Sequence, residues 1–248
     1  MKKYEIFSII LIFLAEFLLL MNERIASIAV HSLNILLIIA FIILKKDPRV
    51  IQALSLVSLL RIVNMSLPVF SSVTIFWFAS LYGIMLLPIA LVFRDQELNL
   101  KYIGATLEKA NLWPFAVLMG TGLAIIEYGV MVTGPLIPDL TSGEIFKLGI
   151  VMFFLIGPVE EMIFRSILQQ RLEEKIGLTK GLLIASLLFG AMHSGYSNYY
   201  EILFATFAGL TIGYGFQKTR SLPFAVIANG VNNIILFGIL PFILIPGH

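Results

Sequence analysis

The chain contains no cysteine, which excludes a disulfide framework, a thiol nucleophile and any cysteine-ligated metal. Charge is nearly as scarce. Asp, Glu, Lys and Arg make up 13% of the 248 residues, where a soluble domain carries about a quarter, so a water-facing surface cannot be built. The formal net charge of +2 and the lack of a basic cluster interleaved with aromatic residues exclude a nucleic-acid partner. The regular apolar and polar alternation of a membrane β-barrel is missing too, since Ile35 to Leu44 is apolar on every side. Neither a low-complexity tract nor a clear internal repeat is visible.

What is present is hydrophobic length. Apolar residues account for 59% of the chain, and they recur in stretches longer than about 18 residues, enough to cross a hydrocarbon core at about 1.5 Å per residue. The expected fold is all-α, a polytopic transmembrane helix bundle of about nine spans. These are Glu5 to Met21, Ile25 to Leu44, Val50 to Leu67, Ser72 to Phe93, Pro114 to Leu136, Ile145 to Leu168, Gly181 to Tyr196, Tyr199 to Gln217 and Leu222 to Ile245. Lys2 and Lys3 before the first apolar run resemble the start of a signal peptide. Glu16 interrupts that run, however, and Met21 to Arg24 offers no small-residue cleavage site, so the run is expected to stay as the first span.

Basic residues collect in alternate loops, at Lys45, Lys46 and Arg49, at Arg94, Lys101 and Lys109, at Arg171, Lys175 and Lys180, and at Lys218 and Arg220. The expectation is a multi-pass protein of the cell membrane with a cytoplasmic N-terminus and, for an odd number of spans, an external C-terminus. Residues 1–93 form an N-terminal group of transmembrane helices. Residues 94–113 mix both charge signs with Leu98, Leu100, Tyr102, Ile103 and Leu107, and read as an interfacial amphipathic helix connecting the halves. Residues 114–248 form the second transmembrane half.

An ionisable side chain near the bilayer centre costs about 2.5–3.5 kcal/mol on insertion scales, so each needs a partner, a wet cavity or a function. Two adjacent carboxylates, Glu160 and Glu161, lie inside one span with Arg165. Residues four apart share a helix face, so Glu161 can pair with Arg165 while Glu160 points about 100° away, without a partner in its own helix. His193 lies in the next span, and the last carries Asn229, Asn232 and Asn233. Counted along the helices, Glu160, His193, Asn229 and Asn233 fall at about 12–18 Å depth and can converge.

Such a set supports water activation. A carboxylate and an imidazole take the proton of a water as it attacks a carbonyl, and asparagine amides donate to the developing oxyanion. The same residues also have structural readings, as a buried ion-pair network and as amides joining helices. Only their co-occurrence favours chemistry.

Glu160-Glu161-x-x-x-Arg165, Phe189-x-x-x-His193 and a polar motif ending in Asn233 resemble, in order, the three motifs of the CAAX prenyl-protease and bacteriocin-processing (CPBP) family. The resemblance covers roughly Pro114 to Ile245 and would make residues 114–248 the catalytic core. It implies an intramembrane glutamate-type endopeptidase in which Glu160 and His193 activate the water and Asn233 is the oxyanion-stabilising asparagine. Glu161 and Arg165 support the site. The family's third motif usually begins with His, where this chain has Asn229, which keeps a donor for an oxyanion and loses any acid/base or metal role.

No cofactor is expected. Catalytic zinc normally takes three protein ligands, and the core offers only His193 beside the carboxylates. The expected partners are the lipid bilayer and a membrane-bound or lipidated protein or peptide, processed at a CAAX-type end, a leader peptide or a C-terminal sorting signal. Two rivals remain, a catalytically inactive scaffold because of Asn229, and a transporter, although no paired broken helices in repeated halves are seen. Elsewhere, Glu16 and Arg61 can pair, His31 can bridge helices, Glu127 has no obvious partner, and Gly209, Gly213 and Gly215 permit close helix packing.

Overall fold

The computed structural model describes residues 1–44, 46–65 and 75–244. Lys45, the expected helix ends at Leu67 and Ile245, and the expected start at Ser72 lie outside the described residues. Within them there is no strand. The chain runs through α1 (Lys3–Leu20), α2 (Arg24–Ile43), α3 (Arg49–Met65), α4 (Ile75–Asp95) and α5 (Trp113–Val130). It continues through α6 (Ser142–Ile176), α7 (Leu178–Ala191), α8 (Tyr199–Thr219) and α9 (Leu222–Leu244).

Burial is inverted relative to a water-soluble protein. Leu36, Leu118, Phe154 and Leu203 are each more than 60% exposed, while Glu16, His31, Arg61, Glu161 and Arg165 are at most 5% exposed. Apolar surface outside and paired polar groups inside is the arrangement a lipid solvent demands. The chain is therefore a membrane protein.

Five helical stretches, in α2, α4, α5, α6 and α9, are long and apolar enough to cross a bilayer, fewer than the nine spans expected. The shortfall has local causes. α1 carries Lys3, Glu5 and Glu16, α3 is 17 residues long with Arg49 and Arg61, α7 is 14 residues long, and α8 contains three glycines, three threonines, Glu201 and Lys218.

The basic loops gather at one end of the bundle. There Lys175, near the end of α6, pairs with Glu5 of α1 and lies 3.4 Å from Asp47. Arg49 pairs with Asp47 at 3.1 Å, and Arg220 with Glu173 at 2.7 Å. Hydrogen bonding by Arg49, aided by the nearby Lys175 charge, holds the Asp47 carboxyl well below the usual carboxylate range.

The connector departs from expectation. Instead of an amphipathic helix, residues 96–109 form turns, followed by a short 3₁₀ turn at Ala110–Leu112. Contacts with the core outweigh helix formation here. Gly104 adopts φ +75°, and a Cβ at that position would lie 2.6 Å from the Arg220 carbonyl oxygen, so only glycine fits. Its own carbonyl accepts the Leu222 N–H at 2.8 Å, and the Ser166 hydroxyl donates to the Ile103 carbonyl at 2.7 Å. The loop thus ties the start of α9 to α6.

α6 is the central helix, packed against α3, α4, α7 and α9. It is not regular. π-helical segments at Met152–Ile156 and Met162–Gln169 flank one short α-helical turn, Gly157–Glu161. Glycine lets its neighbours close in. A Cβ on Gly120 of α5 would sit 2.3 Å from the Ala228 carbonyl oxygen of α9, and one on Gly190 of α7 would sit 1.9 Å from Thr206 Oγ1 of α8.

Candidate active site

Glu161 and Arg165 stand as the four-residue spacing requires, 3.0 Å apart with both side chains fully buried. The Arg165 guanidinium also lies over the Phe189 ring, 4.7 Å from its centre, which joins α6 to α7. Glu160 turns the other way and is gripped by two other helices. The Tyr82 hydroxyl of α4 donates to its Oε1 at 2.7 Å, and Asn229 Nδ2 of α9 donates to its Oε2 at 2.9 Å.

Asn229 does more than its spacing suggested. Nδ2 also donates to Glu161 Oε1 at 3.0 Å, so its two amide hydrogens bridge the neighbouring carboxylates. Asn229 Oδ1 in turn accepts from Asn233 Nδ2 at 3.1 Å, which leaves Asn233 one amide hydrogen beyond this bond.

His193 sits just beyond α7 rather than within a spanning helix. α7 ends at Ala191, and a turn runs through His193 into the 3₁₀ segment Ser194–Tyr196. Its Nδ1 is 3.1 Å from the Phe189 carbonyl oxygen. A carbonyl only accepts, so Nδ1 carries the hydrogen, and in the neutral imidazole Nε2 is the nitrogen with the lone pair.

Glu160, His193, Asn229 and Asn233 line one cavity of about 250 Å³, together with Asn232, Glu127 and Tyr196. A second cavity of about 410 Å³ shares Tyr82, Glu160, His193 and Tyr196 with it, and is walled by Leu60, Arg61 and Asn64 of α3. The carboxylate and imidazole thus lie where two spaces meet, one lined mainly by the C-terminal helices and the other by α3 and α4 together with α6 and the turn that follows α7. Among the described residues no group of three His, Asp or Glu side chains is arranged to hold a metal ion.

Sequence reasoning missed Tyr82, because a lone tyrosine in an apolar helix carries no motif. Glu127 has a partner in Asn232, whose Nδ2 donates to Glu127 Oε2 at 2.6 Å. A census of every polar residue on every span would have raised Tyr82 as well. Glu16 and Arg61 do pair, at 2.8 Å, with His31 Nε2 at 3.3 Å from the same carboxylate.

Residues 142–235, from the start of α6 into α9, match the family model described as Rce1-like, type II CAAX prenyl endopeptidase. This is the CAAX-protease resemblance carried by the three motifs, and it identifies a protease family. No curated protein and no solved structure matches the chain.

Proposed function

We propose that this protein is an intramembrane endopeptidase that hydrolyses a peptide bond of a membrane-associated protein or peptide with water activated by Glu160 and His193. The observation that carries the reading is the meeting of Glu160 and His193 at the two cavities, within the segment similar to CAAX-type endopeptidases. Tyr82 and Asn229 fix the orientation of the Glu160 carboxylate while each oxygen keeps a further lone pair for a water. His193 Nε2 supplies a second acceptor.

The water loses a proton to this pair as its oxygen bonds to the substrate carbonyl carbon. The carbonyl oxygen becomes an oxyanion, and the remaining Asn233 amide hydrogen is the donor assigned to it. When the C–N bond breaks, the proton held by Glu160 and His193 passes to the departing nitrogen. Glu161 serves as the buried counter-charge of Arg165 and, through Asn229, fixes the distance between the two carboxylates. The N-terminus is assigned to the cytoplasm, on the side where the basic loops collect.

The test is a cleavage time course on a fluorescent membrane-anchored peptide in proteoliposomes, with the intact protein beside Glu160→Gln and His193→Gln. Turnover by the intact protein and none by either variant supports the reading, whereas equal turnover by all three removes it.

A further inference from the structure

Beyond the site lies a buried ionic network that the proposed mechanism does not use. Glu16 of α1 is 2% exposed and Arg61 of α3 is 5% exposed, and they meet through Arg61 Nε to Glu16 Oε1 at 2.8 Å and Arg61 Nη2 to Glu16 Oε2 at 2.8 Å. His31 of α2 stands against the same carboxylate and is held from behind by Ser58 of α3, 3.2 Å from its Nδ1. Burying charges among apolar helices is costly. A network drawn from three helices outside the family match invites the question of what it holds.

It holds the two residues that flank His193. The Arg61 guanidinium donates to the Met192 carbonyl oxygen. The Ser194 hydroxyl donates to Glu16 Oε2 at 2.5 Å. The chain is thereby anchored to the N-terminal helices on both sides of His193, beyond the end of α7, where the ladder gives way to single turns such as His193 N–H to the Gly190 carbonyl at 2.9 Å. Among the described residues the imidazole itself has one hydrogen-bond tether, to the Phe189 carbonyl.

We propose that Glu16 and Arg61 form a clamp supplied by the N-terminal helices, and that the clamp positions His193 for water activation. The inference rests on the reading of His193 as half of the water-activating pair. Glu16, Arg61 and Ser194 are positioning residues, acting through the backbone at Met192 and Ser194. Catalytic geometry is sensitive to such support, since a displacement of about 1 Å can cost about 10²-fold in rate. Arg61 also lines the second cavity, whereas Glu16 and Ser194 do not, so a substrate contact cannot account for effects at those two.

The test uses the full chain with isotope-labelled histidine. Three histidines give three sets of imidazole signals, and loss of one set in His193→Gln assigns that of His193. Ser194→Ala, which removes one hydroxyl and leaves every charge in place, should shift or broaden the His193 signals and lower kcat about tenfold, with KM within about twofold of the intact protein. Arg61→Gln should act in the same direction and more strongly, and Arg61→Lys should recover part of the loss. Unmoved His193 signals in both Ser194→Ala and Arg61→Gln would overturn the clamp. So would a raised KM with unchanged kcat, which would make Arg61 a substrate-binding group. An intact protein that cleaves no test peptide while its His193 signals still respond would remove the protease reading and leave the clamp in place.

Discussion

Substitution of Glu160 and substitution of Arg165, the partner of Glu161, should have opposite effects. In Glu160→Gln the side chain keeps its shape, and both of its partners can adapt. The amide oxygen can accept from Asn229 Nδ2, and the amide nitrogen can donate to the Tyr82 hydroxyl, which accepts as readily as it donates. Loss of the charge also relieves its burial. Folded stability should stay within about 1 kcal/mol of the parent. The base is gone, however, and a positioned general base is worth about 10²–10⁴-fold, or about 2.7–5.4 kcal/mol of barrier.

Arg165→Met inverts the balance. Glu161 and Arg165 are fully buried and paired at 3.0 Å, so removal of the cation strands a carboxylate with Asn229 as its remaining donor. Breaking a buried pair from one side costs about 3–5 kcal/mol. The assay combines single-turnover cleavage in proteoliposomes with detergent-resistant thermal unfolding and the yield of monodisperse protein. Glu160→Gln should be inactive and well folded, and Arg165→Met should be poorly folded. Full activity in Glu160→Gln, or parental stability in Arg165→Met, would refute the division of roles between the two glutamates.

Other outcomes follow from the same geometry. Asn233→Ala should lower kcat about 10²-fold or more with little change in substrate affinity, and unchanged turnover would free that residue of the oxyanion role. Tyr82→Phe deletes one hydrogen bond to Glu160 and keeps the ring, so kcat should fall about tenfold or more without loss of folded yield. A normal kcat there would make Tyr82 packing only. The Asp47 carboxyl, depressed in the folded state by Arg49, adds stability that is fully present above the unfolded carboxylate value of about 4 and is lost as pH falls through the folded value. The melting difference between the parent and Asp47→Asn should thus be constant from neutral pH to about 5 and shrink below about 4, and a difference that grows on acidification would contradict this sign. Tags at the N-terminus and between Arg171 and Lys180 should be reachable from one side of the membrane and a tag within residues 131–141 from the other. Access to all three from one side would break the topology.

Local spacing was the legible part of the sequence. The four-residue interval placed Glu161 against Arg165, and apolar length alone gave an all-α bundle. Glu16 with Arg61 was readable as a pairing of charges too costly to leave alone in lipid. What sequence could not give was contact between helices far apart in the chain. Tyr82 is 78 residues from Glu160, and Asn232 is 105 residues from Glu127, with no periodicity linking either pair. His193 was read as lying inside a span because the span was carried on to Tyr196, although the helix stops at Ala191, where the sequence turns polar through His193, Ser194, Ser197 and Asn198. The connector misled for a related reason. Its amphipathic pattern favours a helix, yet hydrogen bonds that the Gly104 and Ile103 carbonyls accept from Leu222 and Ser166 secure turns instead.

The two π segments of α6 have a consequence for insertions and deletions. A π turn carries one residue more than the α ladder requires, with hydrogen bonds running five residues back. Removing one residue from Met152–Ile156 would let that stretch relax to an ordinary α-helix instead of breaking it. The wide turn spends that extra residue on nearly the same sweep about the axis, so Glu160 would keep its facing. A residue lost from a stretch that is α-helical before and after instead turns everything beyond it by about 100°, and would carry Glu160 off the cavity wall it shares with His193. Helical integrity and lipid-spanning length would survive either loss, but only the loss within the π segment would leave Glu160, Glu161 and Arg165 on their present faces. In this helix the number of residues in a turn is a setting as consequential as their identity, and a shift of that number could silence the site while every side chain that forms it remained in the chain.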